Sequence, residues 1–263
     1  MSVYVASALA IVVVMLGTWL LSLVLRNASI VDIVWGLGFV VVAWVSYLTA
    51  DETGSRQNVL LVLVSLWGLR LGAYLLWRNA GKGEDFRYVK MRKHWGPRFP
   101  IISLATVFTL QGVLMYVVSL PVQYGMTLDP DDAVGPIGYV GELIWFVGLF
   151  FEAVGDWQLA RFKSDPANQG KIMDRGLWRY TRHPNYFGDF AVWWGIWLVV
   201  VDAGIGGWWT VIGPIVMTVL LVRVSGKGLL ERNLKKRRPG YDEYIARTSG
   251  FFPMPPKRGH VTS

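Results

Sequence analysis

Seven apolar stretches, each close to the length of a bilayer crossing, constrain this chain more than any other feature. They run approximately from Val3 to Leu25, Ile30 to Ala50, Asn58 to Trp77, Pro100 to Val122, Ile137 to Leu159, Phe187 to Val201 and Trp208 to Val222. A helix rises about 1.5 Å per residue, so about 17–25 apolar residues cross the roughly 30 Å of hydrocarbon. Inside hydrocarbon each backbone polar group must find its partner within the protein, which makes the helix the natural spanning unit. The first stretch has no basic residue at its start and no small-residue cleavage pattern at its end, so it reads as a retained span. The expected fold is all-α: a single transmembrane domain over residues 1–263 with about seven helices.

Composition agrees with a membrane protein, since only 17% of residues are charged, against about 25% in soluble domains. The chain has no cysteine, which excludes thiol catalysis, disulfide frameworks and cysteine-ligated metals. Its histidines, His94, His183 and His260, stand far apart, and no metal site is expected. The net charge of +8 is confined: Arg26 and the segments 78–98, 161–182 and 223–258 hold 24 of the 26 basic residues. The other connections are acidic, with Asp51 and Glu52, then Asp129, Asp131 and Asp132, then Asp202. The positive-inside rule then predicts an outside N-terminus and a cytoplasmic C-terminus. Nucleic-acid binding would need the cations on a soluble face, and no soluble domain is present to carry them. The expected partners are membrane lipids and a lipophilic small molecule from the bilayer.

Ionisable residues inside spans are functional candidates because their insertion is costly. Glu152 and Asp156 lie four residues apart on one helical face, which Lys163 continues beyond the bilayer edge; an interhelical hydrogen bond or ion pair competes with a functional role. Arg70 lies near enough to a span end to snorkel. Asp32, in the run SIVDIVWG, suits either a helix-dipole role or catalysis, and Gln111 suits an interhelical bond. The charged members fall in the cytoplasmic half, as in a pocket open to that side, whereas transporters favour the midplane.

Two connections carry chemistry. Glu84, Asp85, Phe86, Arg87 and Tyr88 place two carboxylates, a guanidinium and a phenol within five residues, a composition that serves a solvated face or acid chemistry on a bound substrate. The segment 176–189, GLWRYTRHPNYFGD, presents Arg179, Arg182 and His183 ahead of a span that opens with Asn185, Tyr186 and Asp189. Guanidinium forks at a helix start suit phosphate or carboxylate groups, and basic connections also meet anionic lipid.

The run from Tyr180 to Asp189 resembles the R-H-P-N-Y-x-G-[DE] signature of the steroid 5-alpha-reductase-like membrane proteins, a variant of which recurs in sterol C14-reductases and isoprenylcysteine carboxyl methyltransferases. The tail, with Leu229-Leu230-Glu231-Arg232, the run Pro239 to Tyr244 and Phe252-Pro253, resembles the end of the same superfamily. The resemblance covers 145–253, while the first half resembles a bacterial branch of unassigned substrate, for which an inner-membrane location is implied. It implies a helical membrane enzyme that binds NADPH from the cytoplasmic side, through the 145–253 half, and reduces a carbon–carbon double bond. It implies cofactor contacts at Asp156, Lys163, Asn185, Asp189 and Tyr244, with Arg179, Arg182, Tyr186, Glu231 and Arg232 in matching motifs. The steroid enzymes carry a Gln-Glu pair where Asp32 is the only acid here, and their tyrosine position falls near Trp67, with Tyr74 further along, which argues against a steroid. No GxGxxG run is present for a soluble dinucleotide fold.

The expected activity is an NADPH-dependent enone-type reduction of a lipophilic substrate, with a steroid-like one among the candidates. Asp32 or Tyr88 would polarise the carbonyl, with Glu84, Asp85 and Arg87 ordering the site. An S-adenosylmethionine-dependent membrane methyltransferase and a non-enzymatic lipid-binding or scaffold protein are the alternatives.

Overall fold

A computed structural model describes residues 1–224 and 238–257, so Glu231, Arg232 and His260, with Leu229 and Leu230, lie outside the described residues. Three long helices come first: α1 Val3–Leu25, α2 Ile30–Thr49 and α3 Ser55–Asn79. The first connection is tight because Arg26 adopts the left-handed conformation, φ +49°, and the Asn27 amide returns to the Ser22 carbonyl at 3.0 Å. That is a helix stop usually given to glycine. α2 and α3 then cross backbone to backbone: a Cβ at Gly36 would sit 2.7 Å from the Gly68 carbonyl oxygen, and one at Gly68 2.5 Å from that of Gly36. Lipid gives helices no hydrophobic reason to associate, so close van der Waals approach at small residues does that work.

α4 Phe86–Trp95 is polar and ends at Gly96, φ +52°. After a short 3-10 turn the chain runs through α5 Phe99–Ser103, a π-helical turn Leu104–Thr109 and α6 Leu110–Val118. α7 Leu120–Gly125 follows, so the expected fourth span is assembled from pieces. α8 Pro136–Ser164, α9 Pro184–Val201, α10 Ile212–Val219 and the short α11 Tyr241–Arg247 complete the helices of the described residues. Among those residues there is no β-strand, only an isolated bridge between Thr181 and Ser249.

Among the described residues, six helical runs are long and apolar enough to cross a membrane. The difference from seven is α9: it has 18 residues, and Asn185, Tyr186 and Asp189 occupy its first turns. Its remainder is buried in protein, with Val192, Trp193, Ile196, Val199 and Val200 inaccessible.

The chain divides into two compact units, Met1–Tyr139 with Ile196–Gly213, and Val140–Gly195 with Pro214–Ser263. In the second, the α8 stripe Gly141, Gly148, Gly155 meets Gly188 and Gly195 of α9. A Cβ on Gly188 would lie 2.5 Å from the Gly148 carbonyl oxygen, so the crossing tolerates no side chain there. In the first, Arg56 of α3 is buried against Asp202 at 3.1 Å and also donates to the Val199 and Ala133 carbonyls, at 2.5 and 2.7 Å. The Gly135 amide donates to the same Asp202 oxygen at 2.6 Å. The amides of Gly135 and Gly138 and the Arg56 guanidinium outweigh the burial that pushes this carboxyl up, leaving it below the ordinary range.

Candidate functional site

In the first unit, the five residues singled out at Asp32 and 84–88 converge. Asp32, in the first turn of α2, accepts Arg87 Nη2 at 2.7 Å on one carboxylate oxygen and the Tyr88 hydroxyl at 3.0 Å on the other. Asp85 caps α4 by accepting the Arg87 amide, and takes Arg87 Nε as well, both at 2.9 Å. The arginine is thereby fixed between two carboxylates while remaining part-exposed. The Asp85 amide donates to Ser29 Oγ at 2.6 Å, which ties the segment to the α1–α2 turn.

Glu84 completes that tie. It accepts the Ala28 amide at 2.7 Å and is forked by Arg92, at 2.8 Å from Nη2 and 3.0 Å from Nε. Burial pushes the Glu84 carboxyl up, but the Arg92 fork and the Ala28 amide overcome it and hold the group below the usual carboxylate range. Arg92 also covers the Phe99 ring at 4.4 Å. In the sequence Arg92 is one more positive-inside charge, and no local pattern marks Glu84 as its partner. A cleft of about 210 Å³ opens beside this cluster, lined by Asn27, Ser29, Asp32, Ile33, Asp85 and the end of α3.

In the second unit, Asp156 of α8 accepts the Asn185 side-chain amide at 3.2 Å, and Asn185 Oδ1 accepts the Tyr186 amide at 3.1 Å. The His183 and Tyr186 rings stack 5.3 Å apart, 6° from parallel. Glu152, Asp156 and Asp189 are all buried. Arg182 is buried too, and its guanidinium caps α11 by donating to the carbonyls of Ile245 and Thr248, at 3.2 and 2.5 Å. The Tyr244 hydroxyl donates to the Trp178 carbonyl at 2.5 Å, and Trp178 Nε1 to that of Gly155 at 3.0 Å. Burial raises the Tyr244 hydroxyl, chiefly by desolvation and then by neighbouring Tyr241, so it stays a donor. Thr181 bonds the Phe251 carbonyl at 2.7 Å, and the loop is thus sewn to the chain's last described segment.

Lys163 and Arg179 are exposed. Neither lines the cleft of about 460 Å³ between the end of α8 and the 165–176 connection, whose walls include Trp157, Gln158, Arg161, Asn168 and Arg175. Arg161 stands 5.6 Å from the centre of the Trp157 ring. Neither arginine carries a motif signal; the spacing of two cations across a turn could have drawn attention to them. The lining carboxylate, Asp165, is turned onto its own loop, accepting from the Ala167 amide at 2.9 Å and Asn168 Nδ2 at 3.2 Å. Among the described residues no cluster of carboxylates and histidines could hold a metal ion.

Spans and clefts of this kind define a multi-pass α-helical integral membrane protein. Residues 18–248 match DUF1295, a family described as proteins of unknown function, and the chain belongs to that family. It is also similar to an uncharacterized protein of Schizosaccharomyces pombe, 24% identical over 265 residues that cover 89% of this chain and 75% of the yeast protein. No solved structure matches it.

Proposed function

We propose that this protein is a membrane-embedded, NADPH-dependent reductase of a carbon–carbon double bond, of the steroid 5-alpha-reductase-like kind. The observation that carries the reading is the cleft with Arg161 and Arg175 on its walls. Two guanidinium groups and an exposed indole suit a polyanion with an attached aromatic base. A sulfonium methyl donor is a cation and would meet the two arginines unfavourably, since Asp165 is the one carboxylate of the lining against them. That charge balance favours the reductase over the methyltransferase.

A dinucleotide held there supplies the hydride when bound. The chain's own residues bind its phosphates through Arg161 and Arg175, while Asp156 and Asn185 form a carboxylate–amide pair elsewhere in the same unit. In an enone reduction a hydride adds to the β carbon, charge develops on the carbonyl oxygen, and a proton at the α carbon closes the balance. Donors aimed at the developing oxyanion are then most valuable. In the first unit Asp32 accepts from Arg87 and Tyr88; the single phenol proton is committed to that bond, so Arg87, which keeps further N–H groups while Asp32 and Asp85 hold it, is the donor that would polarise a carbonyl bound beside it. The substrate is lipophilic and enters from the bilayer. The basic connections face the cytoplasm, with the N-terminus outside, in a bacterial inner membrane.

The test is a titration of the full chain in detergent with NADPH and with S-adenosylmethionine, followed by tryptophan fluorescence. The reading expects saturable NADPH binding and none of the methyl donor. The reverse pattern assigns a methyltransferase, and binding of neither supports the scaffold.

A further inference from the structure

The outward face of α4 has no part in the Asp32 cluster. Tyr88 and Arg92 use one side of this helix to bind Asp32 and Glu84. Phe86, Lys90 and Lys93 recur at helical spacing on the other side, all exposed, with Lys90 Nζ 5.6 Å from the centre of the Phe86 ring. The Phe86 ring lies open among them, 55% exposed.

Charge is unbalanced in this segment. The segment 78–98 has seven cations and two carboxylates, and both carboxylates are turned inward, Glu84 onto Arg92 and Asp85 onto Arg87. Among the described residues Arg78, Lys82, Lys90, Lys93 and Arg98 have no carboxylate within ion-pair distance. The helical run 86–118 has 33 residues, about 50 Å at the helical rise and more than the hydrocarbon needs. The break at Gly96 therefore leaves α4 at the level of the headgroups, where aromatic rings and long cationic side chains are at home.

We propose that this face is a binding surface for anionic phospholipid. The cations meet the phosphodiester and any acidic headgroup, while Phe86 packs on the upper acyl chains. Each cation near an anionic surface contributes roughly a factor of five in affinity, and salt screens it.

The experiment uses the full chain in dodecyl maltoside, offered equal amounts of phosphatidylglycerol and phosphatidylcholine with identical acyl chains, and counts retained lipids by native mass spectrometry. Phosphatidylglycerol should be retained selectively, and the selectivity should shrink as salt is raised. The double variant Lys90→Gln/Lys93→Gln should lower its retention about twenty-fold, while Lys171→Gln/Lys257→Gln, an equal charge loss elsewhere, should leave it unchanged. Glycerophosphoglycerol, which lacks acyl chains, should not compete. Equal retention of the two lipids by the wild type, an unchanged double variant, or competition by the headgroup alone would each overturn the proposal.

Discussion

Removing the carboxylate of Asp202 is the sharpest perturbation of the first unit. The side chains of Arg56 and Asp202 are 1% and 4% exposed. Asp202→Ala strands the guanidinium between the Val199 and Ala133 carbonyls and leaves the Gly135 amide without its acceptor. Breaking one side of a buried pair costs about 3–5 kcal/mol, because the remaining charge stays desolvated. Arg56→Met leaves Asp202 with the Gly135 amide and should cost somewhat less, about 2–4 kcal/mol, within the range for a charged hydrogen-bonded partner. The double variant Arg56→Met/Asp202→Ala removes both charges, so it should be no worse than Asp202→Ala alone, with a coupling of about 2–3 kcal/mol. Unfolding of each variant in detergent, followed by tryptophan emission, gives the cycle. Additive single effects, or an Asp202→Ala loss below about 1 kcal/mol, would refute the claim that this pair is a coupled, desolvated latch.

At the α8–α9 crossing, Gly148→Leu should lower the melting temperature, at a cost of about 1–3 kcal/mol, since a Cβ there already lies 2.6 Å from the Gly188 carbonyl oxygen. Gly17→Leu on the open side of α1, where nothing lies within 4 Å, should leave it unchanged. Acid should destabilise the first unit: Glu84 has a depressed folded value, so its contribution is complete above the ordinary glutamate value of about 4.3 and disappears as pH falls through the folded value. A melting-temperature profile between pH 3 and 7 should therefore flatten in Glu84→Gln, though not vanish, because Asp202 is depressed in the same sense. Tyr244→Phe should cost about 1 kcal/mol and expose the 176–183 loop to limited proteolysis, as the Trp178 carbonyl loses its donor.

The spans were legible because hydrocarbon demands about twenty apolar residues in a row, and that demand is local. α9 escaped it because a helix surrounded by protein can carry Asn185 and Asp189 in its first turns and still be buried. The Asp32 cluster was legible in part: a charged pentapeptide and an acid at a helix start both announce themselves. Arg92 did not, since its partner is set by how α4 folds back. The Arg56–Asp202 pair joins residues 146 apart, and no local pattern records such a meeting. The glycines at 141, 148 and 155, with 188 and 195, do leave a seven-residue rhythm, yet their purpose shows only when the facing carbonyls are placed. Arg182 and Tyr244 were expected at a cofactor. Their polar atoms are given to main-chain carbonyls of the tail and of the signature loop, because a donor's type is written in the sequence and its acceptor is not.

The most direct test of the central claim is the affinity of the full chain for NADPH and NADH, measured with the wild type and with Arg161→Gln and Arg175→Gln. If these arginines hold the phosphates, each variant loses about one charge-assisted hydrogen bond, about 10- to 100-fold in affinity, and NADPH binds more tightly than NADH to the wild type. NADPH affinity unchanged in both variants, or no NADPH binding by the wild type, would contradict the account.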